Sequence, residues 1–166
     1  MLGGLALTDA GGAFFATKAV GDCLHWLPVE GHNINEAEAF AASIWVHTFG
    51  PCLHGCDVHL FIDNKAAEGS LIKGYSSSNT LAAVAGSFWT AAANSSLRMW
   101  IGRVPSRLNP SDGFSRGDFS LAELHGWQQV RPVIPDHSAW SFLLHPTRAL
   151  ASCHPQGRRR LAQQGM

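Results

Sequence analysis

The stretch Val58-His59-Leu60-Phe61-Ile62-Asp63-Asn64 limits what this chain can become more than any other. It is an apolar run too short for a buried helix, entered past the turn-former Gly55 and followed by a helix-like segment, so it reads as an interior strand. Asp63 then falls at the carboxyl end of that strand. In open α/β sheets ligands and metals collect at that edge, which makes a carboxylate there a candidate for chemistry. Capping the following helix is the ordinary alternative use of an Asp in this position.

The remaining elements can be placed around that strand. Leu5-Ala6-Leu7-Thr8-Asp9 has the same form, an apolar run ending in an acid, and Ala10-Gly11-Gly12 then turns the chain into a second strand over Ala13 to Val20. Cys23 to Val29 is a candidate third strand that Pro28 confines to an edge or to an early end. The opening is therefore a candidate antiparallel meander. From Asn35 the period changes: Ala37, Phe40, Ala41, Ile44 and Trp45 recur at helical spacing, with Asn33 or Asn35 as cap, which predicts an amphipathic helix to about His47. Glu38 lies beside its buried stripe. A carboxylate beside a core face needs a partner, and a metal ion is one such partner; solvation at the helix edge is the alternative.

After the central strand, Lys65 to Lys73 is expected to be a short helix stopped by Gly74. Tyr75 to Asn79 is a polar linker, and Ser78 or Asn79 caps a longer helix carrying Leu81, Val84, Phe88 and Ala92 on one face. Leu97 to Val104 alternates as a last strand ended by Pro105, and Ser106 to Gly113 is a turn-rich loop holding Asp112. Phe119 to Gln129 is expected to be a helix, with residues 119–130 as a C-terminal helical unit. Residues 131–166, rich in proline and ending in Arg158-Arg159-Arg160, read as an irregular or disordered tail.

Composition narrows the function. The 166 residues suit one domain, and a formal net charge of zero argues against a general nucleic-acid binder. The distribution is uneven: residues 1–62 hold one base against six acids, and residues 63–116 hold six bases against three acids, so the second half can present a basic surface to phosphates. Cys23, Cys52, Cys56 and Cys153 lack the paired spacing of a zinc site, although Cys52, His54 and Cys56 lie close together. Free thiols in a reducing compartment are the simpler reading. No secretory leader is expected from the first twenty residues, and Leu81 to Ala93 is too short and too interrupted to span a bilayer. An intracellular protein, cytoplasmic or nuclear, with no membrane partner is expected.

Taken in order, the chain offers strand and Asp9, helix and Glu38, strand and Asp63, loop and Asp112. The local words are Thr8-Asp9-Ala10, Ile34-Asn35-Glu36-Ala37-Glu38, Ile62-Asp63-Asn64, and Asn109-Pro110-Ser111-Asp112 followed by Ser115-Arg116. This order resembles the ribonuclease H-like domain of a retroelement (retrotransposon) reverse transcriptase polyprotein, in which an Asn stands three residues before both the helix Glu and the last Asp. The resemblance covers roughly residues 5 to 118. A transposase or integrase on the same fold needs Asp, Asp, Glu, and the proofreading exonucleases carry Asp-x-Glu where this chain has Asp9-Ala10-Gly11.

The resemblance implies an α/β, ribonuclease H-like fold for residues 1–118: a mixed five-stranded sheet, antiparallel meander then parallel strands, flanked by helices. It also implies a metal-dependent endonuclease that hydrolyses the RNA strand of an RNA/DNA hybrid. Two Mg2+ (or Mn2+) ions would be held by Asp9, Glu38, Asp63 and Asp112, with Asp9 and Asp63 bridging, Glu38 on the nucleophile side and Asp112 on the other ion. Two-metal hydrolysis needs an activated water and a stabilised leaving oxygen, and magnesium takes carboxylate and water oxygens. A hybrid is read through backbone shape and the ribose 2′-hydroxyl, so Asn64, Lys65, Lys73, Ser76, Ser77, Asn79, Arg103 and Arg107 are candidate substrate contacts. The parent polyprotein would supply a reverse transcriptase portion as partner. Two departures keep a second reading open: Pro105-Ser106-Arg107-Leu108 lacks the His that many family members carry, and the first strand begins almost at Met1, as in an element truncated at its N-terminus. That second reading is a catalytically inactive module that binds nucleic acid or protein, or a decayed element fragment.

Overall fold

A computed structural model describes residues 1–17 and 34–135. The candidate third strand, Cys23 to Val29, and the tail beyond Pro135 lie outside the described residues. Strand β1 (Leu2–Thr8) and strand β2 (Gly11–Thr17) form an antiparallel hairpin in which Thr8 faces Gly11, so Asp9 and Ala10 are the turn itself. The Thr8 hydroxyl pins the turn, accepting from Ala10 N–H and donating to the Gly11 carbonyl, both at 3.2 Å. Both strands start earlier than the apolar runs alone predict, β1 at Leu2, away from the turn, and β2 at Gly11, beside it, because hairpin pairing continues through Gly3, Gly4, Gly11 and Gly12.

Helix α1 (Ile34–Phe49) is buried over most of its circumference, at Ala39, Phe40, Ser43, Ile44, Trp45, Val46 and Phe49 among others. It is wider in its apolar coverage than a one-face helix because it packs against α3 (Asn79–Asn94), β1 and α2 (Lys65–Lys73). Strand β3 (Asp57–Ile62) and strand β4 (Arg98–Arg103) pair in parallel, Asp57 opposite Arg98 and Ile62 opposite Arg103. A parallel pair requires a long crossover, which α2 and α3 supply. Asn64 caps α2 by accepting from Ala66 N–H and Ala67 N–H, and Gly74, at φ 70°, ends it in the left-handed conformation that glycine adopts without a Cβ penalty. Ser78 caps α3, whose Leu81, Val84, Phe88 and Ala92 are all buried, as their spacing requires.

Three short elements follow. Helix α4 (Ser111–Arg116) packs on β1, so Asp112 sits in a helix where turn signals predict a loop. The Asn109 side chain accepts from Ser111 N–H at 3.1 Å and from its hydroxyl at 2.8 Å, which lets the chain turn and enter the helix at once. The C-terminal helix expected over residues 119–130 is only α5 (Ser120–His125); Gly126, at φ 64°, stops it, and β5 (Gln128–Gln129) pairs in parallel with β2.

The fold is mixed α/β, with two separate sheets among the described residues in place of one five-stranded sheet: β1-β2-β5 and β3-β4. No hydrogen-bond ladder joins β1 to β3. Strand β1 is instead occupied by α4 on one side and α1 on the other, where the Trp45 indole N–H donates to the Leu5 carbonyl at 2.8 Å. One apolar core nevertheless runs through both sheets, from Phe15 and Phe40 to Leu60, Leu71 and Phe88.

Candidate functional site at the carboxyl edge of the parallel strands

Asp63 follows the last residue of β3 and is half-buried; Val104 N–H donates to the Ile62 carbonyl just before it, which holds the two strand ends together. Glu38 stands in the first turns of α1, over the same edge. The helix turns Asn35 and Glu38 to one side, since residues three apart are neighbours on its surface. Asn35 Oδ1 there accepts from Asn64 Nδ2 at 2.8 Å. Asn64 thus does two things at once, capping α2 and tying it to the start of α1, and it stands close enough to Glu38 to lower its pKa.

Glu38 is the electrostatic centre of this edge. Burial first, and then the charge of Asp63, raise its carboxyl from 4.5 to about 7; Asp112 and a hydrogen bond with Asp63 push the same way, and the side chain of Asn64 opposes them. Its Oε2 atom is buried and has no hydrogen-bond partner. Asp112 reaches the cluster from α4 and is held by Arg116 one turn further on, at 2.8 Å. Asp63 and Asp112 are therefore each brought within electrostatic reach of Glu38, from elements that are remote in sequence.

Asp9 is not among them. Thr8, Gly11 and Gly12 line a cavity of about 370 Å³ together with Thr48, Phe49, Cys52 and Leu53, which places the Asp9 turn at the C-terminal end of α1. Glu38 is ten residues back along that helix from Thr48, about 15 Å at 1.5 Å per residue. Asp9 is exposed there. The reason lies in β1: its start, at Gly3, abuts Ser111, Phe114 and Ser115 of α4, so its far end points away from Asp112.

Hard oxygen donors with one orphaned buried oxygen are the donor chemistry that magnesium or manganese takes. Glu38, Asp63 and Asp112 fit a divalent ion in kind. Among the described residues, however, no three acid, His or Cys side chains already form a cage, and that includes Cys52, His54 and Cys56, of which the two cysteines are exposed free thiols.

The candidate substrate contacts divide into groups. Asn64 and Lys65 begin α2 beside Asp63, and Arg103 ends β4 opposite Ile62; Lys65, Arg103 and Arg107 are all exposed. Ser76, Ser77 and Asn79 surround the start of α3, which Ser78 brings to α1 by donating to Glu36 at 3.5 Å. Lys73 lies at the other end of α2, about 12 Å along its axis. The sequence offers Asn35 only as a helix cap, whereas α1 begins at Ile34 and Asn35 lies inside it facing Asn64; Arg116 has no role in that reading. The signals were present: Asn35 is three residues before Glu38, and Arg116 is four after Asp112.

The fold and this edge define a mixed α/β protein with an acid cluster at the carboxyl ends of two parallel strands. No protein-family model matches the chain, and neither curated proteins nor solved structures give a match. Among the described residues no helix is long and apolar enough to cross a membrane.

Proposed function

We propose that this chain is a divalent-metal-dependent phosphodiester hydrolase of the ribonuclease H type, derived from a retroelement polyprotein and acting on the RNA strand of an RNA/DNA hybrid. The observation that carries the reading is the Glu38 carboxylate, with its orphaned buried Oε2, beside Asp63 and Asp112 at the carboxyl edge. Glu38, Asp63 and Asp112 would hold magnesium or manganese. When bound, such ions supply Lewis acidity towards the phosphate and an activated water. The chain's own groups do the rest. Asn64 and Asn35 fix the start of α1 against α2 and so orient Glu38; Arg116 holds Asp112; Lys65, Arg103 and Arg107 attract the phosphate backbone. The ribose 2′-hydroxyl distinguishes the RNA strand.

The position of Asp9 favours a second reading, an inactive module of the same type that binds nucleic acid or protein. Cleavage of a labelled RNA/DNA hybrid with magnesium or manganese separates the two. Activity that disappears in Asp63→Asn supports the hydrolase, and Asp9→Asn then reports whether a three-acid site suffices. A folded chain with no activity in either metal hands the assignment to the inactive module.

A further inference from the structure

Among the described residues no element covers the outer face of β3 and β4, which is aromatic. Along β3 the even-numbered residues Val58, Leu60 and Ile62 are buried and the odd ones are exposed. Phe61 remains 55% exposed and Trp100, on β4, 54% exposed, and His59 is exposed beside them. The three rings are contiguous: His59 and Trp100 have centroids 5.3 Å apart, and Phe61 and Trp100 5.8 Å, edge to face. Gly102 makes this surface possible. A Cβ there would stand 2.5 Å from Trp100 Cη2, so only a residue without a side chain lets the indole stay down across the sheet.

Cations stand past the carboxyl end of this aromatic row, where Arg103, the residue after Gly102, leaves β4 on the side of Met99 and Ile101. Lys65, Arg103 and Arg107 are exposed at the carboxyl edge, and among the described residues the ion pairs are those of Arg98 with Asp57 and Arg116 with Asp112, which leaves these three cations open to an external anion. The core of a protein–protein interface is depleted in charge, whereas rings beside a basic edge are the composition that holds single-stranded nucleic acid, with bases on the rings and phosphates on the cations. A duplex keeps its bases stacked on one another and has none to offer.

We propose that the His59–Phe61–Trp100 face is a stacking platform for the bases of a single strand, RNA or DNA, whose backbone runs towards Lys65, Arg103 and Arg107. It does not depend on the acid cluster or on any metal. The test is the binding of labelled oligothymidylate and oligouridylate to the full chain carrying Asp63→Asn, in EDTA, by fluorescence anisotropy. Trp100→Ala is expected to weaken binding about 5- to 150-fold, the loss of one base stack, and Trp100→Phe to retain most of it. Replacing Arg103 and Arg107 by Ala is expected to flatten the salt dependence. Comparable affinity for the two oligonucleotides is expected, because stacking does not read the sugar. Since Trp100 is half exposed, circular dichroism of Trp100→Ala should show an intact fold. Unchanged affinity in that folded variant overturns the proposal, as does the absence of binding by the folded parent. Dimerisation that Trp100→Ala abolishes would also overturn it, by giving the face to a second copy. Failure of hybrid cleavage bears only on the hydrolase, because no catalysis enters this measurement.

Discussion

Replacing Glu38 by Gln is expected to stabilise the protein above neutral pH and to change it much less in mild acid. The side chain keeps its shape and loses only the charge that its surroundings resist. In the folded protein burial, followed by the charge of Asp63, holds the carboxyl protonated up to about 7, against 4.5 ordinarily. Below the lower value folded and unfolded chains both carry the proton, and the group makes no difference. Between the two values the unfolded chain ionises while the folded one does not, so stability falls as the pH rises and the full penalty is reached above about 7. At about 1.36 kcal/mol per pKa unit the ceiling is roughly 3 kcal/mol. Glu38 is only half-buried, and solvent screening reduces the expected penalty to roughly 1–2 kcal/mol. Urea unfolding of parent and Glu38→Gln at about pH 5 and about pH 8 measures it, and the difference between the two proteins cancels every other titrating group. Magnesium added at the higher pH should then stabilise the parent more than the variant, because a cation that binds only the folded state stabilises by mass action. An equal difference at both pH values would refute the reasoning, since Glu38 would then not be held protonated by its neighbours.

Asn64→Ala removes the acceptor of two helix N–H groups and leaves Asn35 without its partner, so a loss of about 1–2 kcal/mol in urea unfolding is expected; Asn64→Asp should restore the cap alone. His47, whose Nε2 lies 3.2 Å from the Ser87 hydroxyl between α1 and α3, has its pKa lowered from 6.5 by burial. The unfolded chain therefore takes up the proton first, and stability should fall as the pH drops below 6.5; His47→Gln should flatten that acid limb of the stability–pH curve.

The short-range features were legible in the chain because they rest on local physics. The short apolar run Val58 to Ile62 placed β3, although it reads as an interior strand and the structure leaves its odd-numbered side exposed; the cap at Ser78 and the spacing of Leu81, Val84, Phe88 and Ala92 placed α3, and Gly74 ended α2. Each depends on a period or on a backbone preference that a few neighbouring residues settle. The aromatic face was present in the same run as its odd-numbered residues, yet nothing local says that the outer side of a strand will stay bare. The helix expected over residues 119–130 failed for a related reason: Gly126 stops it, and the edge of β2 captures Gln128 and Gln129.

What the sequence by itself determined is thus the existence and type of the central elements and the acid at the end of β3. Only the tertiary structure decided which acids meet. Asp63 and Asp112 each come near Glu38 because α1 and β3 share the main core while α4 is held on β1 and β2 by a second cluster of Phe14, Phe114 and Ala122, with Asn64 and Asn35 as the tie. Asp9 follows the same pattern as Asp63, an apolar run closed by a carboxylate, and ends at the other end of α1. A strand's own residues settle that it is a strand; its neighbours and direction are settled by long-range competition for its edges. Here α4 and Trp45 occupy β1, and that contest has no signature within nine residues of sequence.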